Sequence, residues 1–247
     1  MTHTALLPST LGQSRYGILA RALRDRILQG EWGPGEVIPA ESTLAQSYGV
    51  ALGTLRQALA LLVEDGVLQR RHGKGTFVTQ GIDGASMMRF FRFRGVGDDS
   101  SEVPQSRILS SRLRTATLQE ANTFGSATGS QVLQLERLRS LNSEPCLLET
   151  LVLPLPLFGQ LADSDTATWD DLLYPMFHQR CGVVIQKTQD SLSFSQLNAT
   201  QAKRLKLAAA HPCVRVARQA FDMAGRCVEL RTTWGDAFAF QYTTQLQ

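Results

Sequence analysis

The stretch from Pro39 to Val78, PAESTLAQSYGVALGTLRQALALLVEDGVLQRRHGKGTFV, constrains the fold of this chain more than any other. Leu44, Ala45 and Tyr48 fall at helical spacing, which predicts a helix over Glu41–Tyr48 closed by Gly49. A second helix is predicted from Gly53 to Asp65, because Leu55, Ala58, Leu59, Leu62 and Val63 form one apolar stripe. Its opposite face carries Gly53, Thr54, Arg56, Gln57 and Ala60. Gly66 ends that helix, and the segments 67–71 and 76–78 flank His72-Gly73-Lys74-Gly75, where two glycines permit a tight hairpin.

This order of parts reads as a winged helix-turn-helix. Small residues let the second helix approach a major groove, with Thr54, Arg56 and Gln57 as donors to bases or phosphates. Arg70, His72, Gly73, Lys74 and Gly75 form a wing suited to phosphates or a minor groove. The alternative is an ordinary helical hairpin followed by a surface hairpin. Charge does not decide between them, since residues 1–80 hold eight Lys/Arg and six Asp/Glu. Order and spacing favour DNA.

Ahead of this stretch, Ile18, Leu19, Leu23, Ile27 and Leu28 predict an amphipathic helix over Tyr16–Gln29, and residues 1–13 carry no pattern. With 247 residues, 43% hydrophobic and 19% charged, the chain has material for two ordinary cores. No apolar run is long enough to span a membrane, and the N-terminus lacks the pattern of a secretory signal. Cys146, Cys181, Cys213 and Cys227 are widely spaced and away from the histidines, so neither a metal site nor a disulfide framework is expected. No cofactor is expected, and the location that fits is the cytoplasm.

Glycines at 81 and 84 place a linker there, and Gly95–Ser101 reads as a second loop. Between them SMMRFFRFR mixes arginines and aromatics, as either a nucleic-acid surface or an element packed beneath a second domain. From about Val103 the period is mainly two. Strands are predicted at 107–114, 132–141, 145–153, 183–197, 214–223, 227–234 and 238–246, with helices at 169–181 and 199–207. The expected fold class is α+β on a mainly antiparallel sheet. Several charges fall in phase with apolar residues. Arg137 and Arg139 share a face with Leu133 and Leu135, Glu149 with Leu147 and Leu151, and Glu229 with Arg231 and Thr233. Such ions must pair, meet water or meet a ligand. The pattern fits structural salt bridges and a pocket for a carboxylate or phosphate equally well.

The run from Tyr16 to Val78, with its GEWGPGEVIP turn, TLRQAL helix and RRHGKGTFV wing, resembles the DNA-binding domain of GntR-family bacterial transcription regulators. The resemblance adds Glu41, Ser42, Ala51 and Gly53 to the DNA-facing positions, although Ser42 and Ala51-Leu52 replace an arginine and a Ser-Arg pair common in the family. Residues from about 103, including LERLR, EPCLLETLVLP, TWDDLL and CVELRTTW, resemble the chorismate-lyase-like UTRA effector domain of HutC-type members. That resemblance implies a ligand pocket at Arg137, Arg139, Glu149, Thr168, Glu229 and Arg231. Trp169 and Asp170 would lie at a helix N-terminus, and Arg92 where the linker reaches the pocket.

The implied domains are a winged helix-turn-helix at 14–79, a linker at 80–102 and an effector-binding, dimerising domain at 103–247. The implied function is a homodimeric repressor on a roughly palindromic double-stranded operator, released by a small anionic effector. Its rivals are a lyase-like enzyme with a DNA-binding appendage and an architectural protein with a dimerising second domain. No nucleophile-base pair at convincing spacing speaks for the enzyme.

Overall fold

The computed structural model describes residues 14–79, 91–93 and 104–242, and the chain divides into two compact units between Gly81 and Ile82. The N-terminal 13 residues, most of 80–102 and the end of the last expected strand lie outside the described residues.

The first unit begins with α1 (Arg15–Leu28), α2 (Glu41–Tyr48) and α3 (Leu52–Glu64). Leu19, Leu23 and Ile27 of α1, Leu44, Ala45 and Tyr48 of α2 and Leu55, Leu59 and Leu62 of α3 are all buried, and α3 packs against both other helices. Each such leucine contributes about 1.5–3 kcal/mol by leaving water. Leu28, expected on the apolar face, is exposed. Gly49 turns the chain between α2 and α3 at φ 61°, a left-handed conformation that a side chain would strain. Arg26 stacks on the rings of Trp32 and Tyr48 and pairs with Glu31, which fastens α1 to its neighbours. The hairpin of β1 (Leu68–Arg71) and β2 (Gly75–Val78) follows.

In the second unit a six-stranded antiparallel sheet holds β4 (Gln105–Thr115), β5 (Gln131–Leu141), β6 (Glu144–Pro154), β7 (Ile185–Gln196), β8 (Pro212–Asp222) and β9 (Cys227–Asp236). Their spatial order is β4-β5-β6-β9-β8-β7. Among the described residues the strand β3 (Phe91–Phe93) pairs only with β10 (Phe240–Tyr242). One sheet face is covered by α5 (Leu155–Ala162) and α6 (Leu173–Cys181), whose Phe158, Leu161, Met176 and Phe177 pack on Leu133, Leu135, Leu151 and Leu153. The other face meets α4 (Leu118–Phe124) through Ala121 and α7 (Ala199–Leu205) through Ala202 and Leu205. The fold is α+β, a helical winged module followed by an antiparallel sheet domain. No helix among the described residues is long and apolar enough to cross a membrane.

Three local expectations change. The helix expected from Trp169 starts at Leu173, because the preceding residues have other partners. Asp165 caps a short 3-10 turn over Thr166–Thr168, and Arg180 donates to the Thr168 carbonyl at 2.7 Å. The last strand, expected from Phe238, begins only at Phe240, after a turn in which the Asp236 carboxylate accepts from the Phe238 N–H. Finally, α4 and α5 occupy segments for which the periodicity predicted no helix.

Candidate functional site

Two sites take shape, one in each unit. On α3 the stripe Leu55, Ala58, Leu59 and Leu62 is buried, so helical geometry turns Gly53, Arg56, Gln57 and Ala60 to the surface, with Thr54 half-buried. Ser42 and Ala51 are also exposed. Glu41 accepts from Arg56 Nε at 2.7 Å and lies 3.7 Å from Arg70 Nη2, so one carboxylate ties α3 to the hairpin. In the hairpin, Arg71 folds back over the Phe77 ring at 4.5 Å. Arg70, His72, Gly73, Lys74 and Gly75 are left exposed. Gly75 sits at φ 113°, and a Cβ there would come 3.2 Å from Val37 Cγ2. The surface therefore offers guanidinium, ammonium and imidazole donors around a glycine-rich tip, a chemistry suited to phosphates.

In the second unit the in-phase charges converge inside the domain. Register places Arg137, Glu149 and Thr233 in one row across β5, β6 and β9. Arg137 Nε donates to Glu149 Oε2 at 2.6 Å, Thr233 Oγ1 to Glu149 Oε1 at 3.3 Å, and Arg231 Nε to Glu229 Oε1 at 2.5 Å. Arg231 also lies 3.6 Å from Glu149 and packs on the Tyr174 ring. Arg139 donates to the Pro104 carbonyl at 3.2 Å. All five ionic side chains are at most 5% exposed. Even so, Arg137 Nη1, Arg139 Nε and Glu229 Oε2 have no hydrogen-bond partner.

Charge is also unbalanced. Three guanidinium groups, Arg137, Arg139 and Arg231, meet two carboxylates, while the nearby Arg218 is matched by a forked pair to Asp190 at 2.6 and 2.7 Å. Burial by itself would raise the pKa of Glu149, but the charges of Arg137, Arg231 and Arg139 override it and bring the group to about 2. The pKa of Arg137 is lowered too, for a different reason. Burial, with repulsion from Arg231 and Arg139, outweighs Glu149 and lowers it to about 10. Both shifts describe a buried cluster with positive charge to spare.

The structure does not bring Thr168, Trp169 and Asp170 into this group. Thr168 and Asp170 are exposed, and the Trp169 indole donates to Ser164 Oγ at 2.9 Å. With the helix beginning at Leu173, the expected anion cradle at its N-terminus is absent there. Arg92 lies in β3 opposite Gln241, and its side chain lies outside the described residues. Trp234 faces the opposite side of the sheet, against the cluster of Leu138, Leu148 and Leu205. Thr233, read from the sequence only as an in-phase neighbour of Glu229, bonds Glu149, and two members of the charged cluster were missed: Arg218 and Tyr174, whose hydroxyl accepts from Arg218 at 3.5 Å. Arg218 was legible, since it alternates in phase with Val214, Val216 and Ala220. Tyr174 had no such signal. Among the described residues no cluster of three or more His, Cys, Asp or Glu stands ready to hold a metal ion.

A helix-turn-helix with a basic hairpin, joined in one chain to a sheet domain that buries an arginine-rich cluster, has the build of a DNA-binding regulator. Residues 15–78 match the family model of bacterial regulatory proteins, gntR family, and residues 99–241 match that of the UTRA domain. The chain is 28% identical to the "Probable fructoselysine utilization operon transcriptional repressor" of Escherichia coli (strain K12), with 88% of each covered. It is 25% identical to the "HTH-type transcriptional repressor NagR" of Bacillus subtilis (strain 168), with 87% of each covered. The crystal structure of PhnF from Mycobacterium smegmatis superposes with a TM-score of 0.54 at 26% identity, covering 92% of this chain and 99% of that one. The chain belongs to the GntR family of bacterial regulatory proteins, as a DNA-binding transcription regulator with a UTRA effector domain. The relatives are regulators and lend nothing to the lyase alternative.

Proposed function

We propose that this regulator is a cytoplasmic, HutC-type repressor that binds a roughly palindromic operator as a homodimer and leaves it when a small anion fills the UTRA domain. Residues 14–79 read DNA, 80–102 link, and 103–247 bind effector and dimerise. Thr54, Arg56 and Gln57 contact the groove, with Glu41, Ser42, Ala51 and Gly53 around them and Arg70, His72, Gly73, Lys74 and Gly75 on the flanking phosphates. Repression is supported by the printed names of the Escherichia coli and Bacillus subtilis relatives.

The observation that carries the effector's chemistry is the set of unpartnered atoms, Arg137 Nη1, Arg139 Nε and Glu229 Oε2, around a surplus guanidinium charge. A carboxylate or phosphate accepts from the two arginines and balances the charge, and a hydroxyl or amine on the same molecule donates to Glu229. The test is fluorescence anisotropy with the duplex upstream of the protein's own gene, titrated with phosphorylated and carboxylated metabolites. Anions release the wild type, whereas Arg139→Ala binds the duplex equally well and loses the response at least tenfold. Arg139 engages no carboxylate among the described residues, so its removal strands no charge. Release that persists unchanged in Arg139→Ala and in Arg137→Ala with Arg139→Ala overturns the anion reading.

A further inference from the structure

Helix α3 opens on an uncharged turn. Its cap residue Ala51 and its first two residues, Leu52 and Gly53, are all exposed, and none of the three has a polar side chain. Leu52 is 38% exposed, whereas Leu55, Leu59 and Leu62 of the same helix are fully buried. Helical geometry sets Leu52 one turn before Arg56, on the flank of the surface that carries Gly53, Gln57 and Ala60, so it stands outside the packed stripe. Arg56 itself is held by Glu41 at 2.7 Å, which compensates the nearest charge on that flank. Gly53 supplies a second and independent observation. Its φ is not positive, and a Cβ added there would meet nothing within 4 Å. Neither conformation nor internal packing therefore calls for a glycine, a residue that weakens a helix relative to alanine. The missing side chain gives clearance on the outside instead, where another surface can lie against the backbone beside Leu52.

We propose that Leu52 reads a thymine in each operator half-site by covering its C5 methyl, with Gly53 letting the helix backbone come close enough for that contact. This rests on the reading of α3 as the groove-facing helix and names the base that its first turn selects. The N-terminal residues of a helix lying in a major groove are the ones that reach base edges. On those edges the thymine methyl is the one apolar group, and the other features are hydrogen-bond donors and acceptors. A turn made of Ala51, Leu52 and Gly53 has no side-chain group with which to read the latter. Cytosine at the same place puts its amino donor against the leucine and leaves that donor without a partner, so it is rejected as well as unrewarded. Uracil keeps every hydrogen-bonding group of thymine and lacks only the methyl, which makes it the probe that isolates this contact.

Selection from random-sequence duplexes by the full chain, followed by fluorescence anisotropy, tests this. The selected site is remade with deoxyuridine in place of each thymine in turn. For the wild type, one thymine per half-site loses about fourfold in affinity with its methyl, the worth of roughly one CH2 leaving water. Leu52→Ala, with an unchanged circular dichroism spectrum, binds the thymine and uracil duplexes equally at that position, so the two changes are coupled rather than additive. A wild type indifferent to uracil at every position, or a Leu52→Ala protein that keeps the preference for thymine, overturns the contact and leaves α3 standing as the groove-facing helix. A wild type that enriches no sequence above the random pool overturns the groove reading of α3 and this contact with it.

Discussion

At the scale of single residues, the centre of the UTRA domain turns on Glu149. It is fully buried and tolerated there because Arg137 and Thr233 sit beside it in register and Arg231 stands 3.6 Å away. Its folded pKa of about 2 lies below the ordinary 4.5. The stability it contributes is therefore complete above pH 4.5 and drains away as pH falls toward 2. Urea unfolding between pH 2 and 7 should show that loss in the wild type, and Glu149→Gln should flatten it. The variant should also be less stable at neutral pH by about 3–5 kcal/mol, since Arg137 then lacks its countercharge. An equally steep acid limb in the variant would place the sensitivity elsewhere, with Glu31 and Glu120 the next groups to examine, because their pKa values are also lowered, chiefly by hydrogen bonds from Arg26 and Arg114.

At the scale of elements, helix starts separate what this chain built carefully from what it left plain. Helix α4 opens with a capping box between Thr117 and Glu120, and α7 with one between Asn198 and Gln201. The recognition helix α3 opens on Ala51, which has the extended backbone of a cap residue and no side chain to cap with. Ala51→Ser should accept from the first-turn N–H groups and stabilise α3 by about 1 kcal/mol. A thermal melt of the variant followed at 222 nm would register this as a higher midpoint for the first unit. An unchanged midpoint would mean that water already satisfies those groups equally well.

At the scale of the whole molecule, regulation needs one energy shared by two sites. The chain continues from β9, which bears Glu229, Arg231 and Thr233, through a short turn into β10, and β10 pairs with β3 on the segment leading back to the DNA-binding unit. The buried charged cluster and β3 are therefore connected by backbone and by strand pairing. If effector weakens operator binding by some factor, saturating operator must weaken effector binding by the same factor. Calorimetric titration of effector into free and operator-bound protein should return equal factors. Unequal values would mean that the ligand acts through a species other than the two-state regulator, such as a change in assembly.

The sequence alone carried what depends on neighbours along the chain. The apolar stripe of α3, the glycine-rich wing and the period-two strands were readable because helix and strand geometry sets which side chains share a face. The same alternation showed that Arg137, Arg139, Glu149, Glu229 and Arg231 turn inward, and applied to β8 it would have shown Arg218 too. The T-x-x-E signature of α4 was also there to be read. Tertiary structure decided what depends on distant partners. It delayed α6 to Leu173, because Ser106 holds Asp171 and Arg180 holds Thr168. It also set Tyr174 beside Arg218 and Arg231 across the core. Only the register of six strands determined that Glu149 would pair with Arg137 and leave one guanidinium charge over, since a hydrogen bond between strands depends on pairing that local periodicity does not encode.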